Sequence, residues 1–200
     1  MNVRIAQLIT FPAGSWYDNN LEMFQYTIKL WMMTQSPDPE EQNIAFRRMK
    51  CFVHTQLDST IFIDQTDPKA AEFTRAGFNI TTLPGDPADQ LIGIMLFHKL
   101  NAIMEGRIDI IEVEISAGDG VIYLHGENET NDSLQQPDWW HTADLTHSDI
   151  SADPDNVVSI HPVIAWRDLD LSWPNPESAV DSATGNVVSF ADIQSNHDTE

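Results

Sequence analysis

Two hundred residues is the length of one domain, or of one domain with an appendage, and 42% apolar residues can build a core at that size. Thirty-one acids against ten bases give a net charge of −21, which leaves no basic stripe to neutralise phosphates and argues against direct binding to nucleic acid. No run approaches the roughly 20 apolar residues of a membrane helix.

In chain order, Val3–Ile9 reads as a short strand closed by Pro12 and Gly14. Leu21, Phe24, Ile28 and Trp31 recur at three- and four-residue steps, which predicts a helix over 19–33 capped by Asp18. Asp38-Pro39, Asp67-Pro68 and Asp86-Pro87 each place a side-chain acceptor and a pre-bent φ at a helix start. The first of these helices turns Phe46, Met49, Val53 and Leu57 inward; the second stops at Gly77. The third, from Pro87 to Glu105, is apolar nearly all round and so forms the centre of the core. Ile61–Ile63 is a strand between them. Ile111, Val113 and Ile115 then alternate with Glu112 and Glu114, and Ile122 and Leu124 with Tyr123 and His125, around a turn at 117–120. This hairpin is expected to lay its aliphatic face on the helices and to show Glu112, Glu114, Tyr123 and His125 to solvent.

Beyond Gly126 the composition turns polar and acidic. Residues 1–107 hold 12 acids and 9 bases, whereas residues 108–200 hold 19 acids and one base, Arg167. The expected architecture is therefore α+β: a domain over 1–126, with helices packed on a small antiparallel sheet, and an extended acidic C-terminal arm over 127–200, irregular or partly disordered. Four of the six tryptophans, Trp139, Trp140, Trp166 and Trp173, lie in that arm.

Dense carboxylates interleaved with tryptophans suit a basic protein surface. Carboxylates steer the encounter and aromatics supply the desolvated anchors. The expected partner-binding residues are Trp139, Trp140, Trp166, Asp168, Asp170 and Trp173, on a non-enzymatic protein acting as a nucleic-acid mimic. The plainer reading of the same charge is a solvating tail or adaptation to salt.

Asp138, His141, Asp144, His147 and Asp149 form an alternative, metal-binding cluster, but their spacing matches no established motif, so no metal site and no cofactor are assigned. Glu112, Glu114 and His125 could supply acid–base groups, although alternation alone puts polar residues on a solvent-facing strand. His98 and His54 read as hydrogen-bonded helix histidines, and Cys51 as an inert thiol. Phosphate-cradling glycine loops, a Gly-x-Ser-x-Gly elbow and Cys-x-x-Cys pairs are absent. The opening Met1–Leu8 carries no basic leader before an apolar stretch, which points to a cytoplasmic setting.

The run Thr81–Glu105 and the hairpin end Tyr123-Leu124-His125 resemble uncharacterised small proteins of tailed bacteriophages, over about residues 40–126. The resemblance implies no catalytic residues. It implies a phage accessory protein in the host cytoplasm, engaging a basic surface of a host nucleic-acid-processing protein. A small metal-dependent hydrolase and a virion or assembly component are the alternatives.

Overall fold

The computed structural model describes residues 4–118, 121–126, 137–146 and 164–174. Six strands form one sheet: β1 (Arg4–Tyr17), β2 (Asn20–Thr34), β3 (Ile61–Asp64), β4 (Ile80–Leu83), β5 (Ile108–Ser116) and β6 (Tyr123–Gly126). Their order is β4-β3-β1-β2-β5-β6. Pairing is antiparallel from β1 through β6 and parallel for β1 with β3 and β3 with β4, so the sheet is mixed rather than antiparallel.

The segment expected as a helix over 19–33 is the strand β2. From Tyr26 to Thr34 every second residue is buried, and this two-residue period overrides the three- and four-residue coincidences of Leu21, Phe24, Ile28 and Trp31. Asp18 and Asn19, with φ of 49° and 58°, make the two-residue turn of a long β1–β2 hairpin. Asp18 is a turn residue, not a helix cap.

Pro12 and Gly14 do not end β1 either. The Pro12 carbonyl accepts from Ser59 N–H at 2.7 Å on the side away from β2, so the missing proline N–H removes no bond from the β1–β2 ladder.

Helix α1 (Pro39–Phe52) begins as its sequence dictates, with Asp38 accepting from Glu40 N–H at 2.9 Å. It continues as one wider turn over Val53–Leu57. In α2 (Lys69–Arg75), Asp67 accepts from Lys69 N–H at 2.8 Å, and Gly77 follows at φ 86°. Helix α3 (Asp89–Met104) starts two residues later than the Asp86-Pro87 signal, from an extended Ala88, and ends on left-handed Glu105 and Gly106.

Helices α1 and α3 cover one face of the sheet. Ile28, Leu30 and Met32 of β2 and Val113 and Ile115 of β5 meet Met49, Phe52, Ile92, Met95 and Leu96 there. Helix α2 packs separately, Phe73 resting edge-on against Trp16 beside Ile61, Ile63 and Ile80. No helix among the described residues is long and apolar enough to cross a membrane.

Candidate functional site

Two pieces of the acidic second half lie against the helical layer. The first, residues 137–146, has one 3-10 turn at Asp138–His141. Its Trp139 and Trp140, packed edge-to-face at 5.9 Å, are 2% and 0% exposed.

Lys99 of α3 is the group that seats this strap. It lies in an otherwise apolar run and is fully buried, and its ammonium donates to the carbonyls of Trp139 (3.1 Å), Thr142 (3.0 Å) and Asp144 (2.7 Å) and to Thr142 Oγ1 (3.2 Å). Burial pulls its pKa down to about 8, with Asp144 pulling the other way.

The second piece, residues 164–174, is held by Arg48 of α1. That guanidinium donates to Leu171 O at 2.7 Å and to Glu105 at 2.7 Å, and lies 3.9 Å from the Trp173 ring centre and 4.9 Å from that of Trp166. Arg107 stacks on Trp173 at 4.2 Å. Trp166 Nε1 donates to Ala143 O at 2.6 Å, tying the two pieces together.

Of the residues singled out in the arm, Trp139 and Trp140 therefore lie inside the core, and Trp166 and Trp173 are half-buried against it. Asp168 accepts from Ala165 N–H at 3.1 Å, and Asp170 takes a left-handed φ of 55°.

Beside the first strap three histidines from three elements converge. His98 of α3 has its ring centre 5.1 Å from His141 of the strap and 6.2 Å from His125 of β6. Tyr123 Oη lies 3.5 Å from His125 Nδ1. The set grades from buried His125 through half-buried His98 to exposed His141. Burial, reinforced by His141 and His125, lowers the His98 pKa to about 4, so its imidazole is neutral at pH 7.

The expected carboxylate–histidine face is not formed. His125 pairs with Val113 and points to the helices, while Glu114 pairs with Leu124 on the opposite face. The register of β6 on β5 is the reverse of the expected parity, and Gly93 of α3 leaves the slot into which the Tyr123 ring fits.

Among the described residues no group of three or more His, Cys, Asp or Glu side chains is disposed to hold a metal ion. Asp138, His141 and Asp144 lie within the described residues, while His147 and Asp149 lie outside them. Cys51 is half-buried, and burial pushes its thiol pKa up.

A cavity of about 370 Å³ opens where the β1–β2 hairpin overhangs the start of α3. Asp18, Glu22 and Asp89 line it with Tyr17, Phe24 and Tyr26, and no lysine or arginine does. Asp89 accepts from Ala117 N–H at 3.2 Å and sits in the first turn of α3, whose dipole favours a carboxylate. Asp18 and Glu22 are exposed, and Asn20 Nδ2 donates to Glu22 at 2.9 Å.

No family model matches the chain, and no curated protein does. Solved structures similar to it include an uncharacterized protein of Wolinella succinogenes, 14% identical, covering 64% of this chain and 99% of that one at a TM-score of 0.47. A catalytic-residue mutant of the Plasmodium vivax 6-pyruvoyltetrahydropterin synthase is 12% identical, covering 64% and 99% at 0.43. The Caenorhabditis elegans 6-pyruvoyl tetrahydropterin synthase is 14% identical, covering 64% and 97% at 0.42.

The expectation of a non-enzymatic factor engaging a host protein is corrected here. The Plasmodium vivax and Caenorhabditis elegans chains named above are synthases.

Sequence reasoning missed Lys99, Arg48 and the cleft. A lysine inside a largely apolar helix is itself a signal of a buried cation with a built set of acceptors. Reading Asp18-Asn19 as a hairpin turn would have placed Tyr17, Glu22 and Phe24 around one opening.

Proposed function

We propose that the chain is a small-molecule-binding protein whose ligand is cationic and in part planar, held in the cleft under the β1–β2 hairpin. The observation that carries this reading is the cleft's lining: three carboxylates and three aromatic rings around about 370 Å³, with no basic side chain. That volume lies in the range of small-ligand sites. A cation there gains from the carboxylates and from the ring faces together. The second cavity, about 340 Å³ on the other face of the sheet, lacks this bias because Lys29 and Glu114 pair across it at 3.2 Å.

The test is calorimetric titration of the full chain with benzamidine and with benzoate, a cation and an anion of nearly one shape. Benzamidine is expected to bind saturably and benzoate not at all. Glu22→Gln and Asp18→Asn should each weaken benzamidine by about tenfold, a loss of about 1.4 kcal/mol. Glu114→Gln on the opposite face should leave it unchanged. Equal weakening by all three variants would mean that only the chain's overall negative charge is being titrated, and would refute the cleft.

A further inference from the structure

The strap over 137–146 is seated by the Lys99 bonds to its backbone, by apolar burial and by a histidine contact, and only the last changes charge between pH 7 and 4. Burial of Trp139, Trp140 and Leu145 does not depend on pH. The contact of His141 with His98, and of His98 with His125, does. Three imidazoles whose ring centres lie 5.1 and 6.2 Å from the central one are compatible while neutral. Once one is charged, each further proton meets a like charge in a partly desolvated setting.

The other titratable groups around His98 do not remove that conflict. From β6 come His125 and Tyr123; from the strap His141, Asp138 and Asp144; from α3 itself the Lys99 ammonium. The ammonium adds positive charge, and the attraction of Asp144 acts on Lys99.

We propose that the strap is a proton-operated latch: neutral His98, packed between His141 of the strap and His125 of β6, keeps Trp139 and Trp140 seated on α3, and acidic solution charges His98, lifts the strap and uncovers both indoles. This stands independently of the cleft, which shares no residue with the strap. The direction follows from His98. Seated, it takes a proton only near pH 4; released, it sheds the His141 contact and part of its burial and takes one more readily, with His125 of β6 still beside it. The His98 contribution to seating is therefore fully present above pH 6.5 and is lost as pH falls towards 4, with a ceiling of about 300-fold in the ratio of seated to released strap if release restored the ordinary 6.5 in full.

The experiment follows tryptophan emission and far-ultraviolet circular dichroism of the full chain from pH 7.5 to 4. The expected result is a red shift of emission with its midpoint between pH 4 and 6.5, while the sheet signal persists. The red shift should vanish in Trp139→Phe/Trp140→Phe and move to lower pH in His98→Gln. Should either variant fail to fold, histidine and indole resonances of the unaltered chain give the same answer: the Trp139 and Trp140 indole signals must change in step with the titration of His98. Emission that stays constant to pH 4, or that moves only together with loss of the sheet signal, overturns the latch. So does a red shift that persists without Trp139 and Trp140.

Discussion

Replacing Lys99 with methionine keeps the aliphatic stem within the core and removes only the ammonium. Two effects oppose each other. The carbonyls of Trp139, Thr142 and Asp144 lose a charged donor, and hydrogen bonds to charged groups contribute about 1.5–3 kcal/mol each without adding fully. Against that, a desolvated charge disappears, and its cost is legible in the pKa, lowered from 10.5 to about 8.

The sign follows from proton counting. Between pH 8 and 10.5 the unfolded chain holds a proton on this lysine that the folded chain has released, so stability rises with pH. A shift from 10.5 to about 8 makes the gain between pH 7.5 and pH 10 about 2 kcal/mol. The carboxylates and other groups change the background of both proteins alike, so the decisive quantity is the difference between them. Urea unfolding of the native chain and of Lys99→Met at the two pH values measures it. The native chain should gain about 2 kcal/mol on the variant as the pH rises. A difference that stays constant would mean that the ammonium is not desolvated in the fold, and the account of the strap's seating would fail with it.

Gly93→Ala should destabilise the fold, because an added Cβ would stand 2.9 Å from the Tyr123 ring. Overpacking of about 1–3 kcal/mol exceeds the gain of about 1 kcal/mol in helix propensity, and a thermal melt reads the balance. Arg48→Met should cost about 2–3 kcal/mol by urea unfolding, through lost charged bonds to Leu171 O and Glu105. It should also raise acrylamide quenching of Trp166 and Trp173, which lean on that guanidinium. In 1 M NaCl, where screening acts over about 3 Å, tryptophan emission should stay as it is at low salt; a red shift would show that exposed charges, not buried bonds, hold the straps.

Where the sequence carried its own local chemistry, the fold was legible. Asp38-Pro39 capped α1, the unbroken apolar run of α3 marked the central helix, and Ile111–Ile115 declared a strand. The β1–β2 hairpin was not legible, because Leu21, Phe24, Ile28 and Trp31 satisfy a helical spacing by coincidence while the buried set is Tyr26, Ile28, Leu30 and Met32. Only pairing with β1 and β5 on either side decides between the two periods. Strand β4 is four residues long and parallel to β3, and nothing local announces such a strand. The facing of His125 turned on the register of β6 on β5 and on a glycine 32 positions away. The histidine cluster was invisible for the same reason: His98, His125 and His141 come from a helix, a strand and a strap, and no linear spacing encodes their meeting.

The tryptophans of the second half show how an acidic segment can be held mainly through groups other than its acids. Lys99 and Arg48 are the two cations buried among the described residues, and both direct donors at the backbone of that half: Trp139 O, Thr142 O and Asp144 O for one, Leu171 O for the other. A carbonyl carries its partial charge at every residue, so this recognition rests mainly on the chain's path and its aromatic anchors, with Asp144 adding attraction for Lys99. The side chains of Asp138, Asp144 and Asp168 are thus left at the surface while Trp139 and Trp140 are drawn inside. Among the described residues, then, Trp139 and Trp140 complete the core, while Asp138, Asp144 and Asp168 lie at the surface above it.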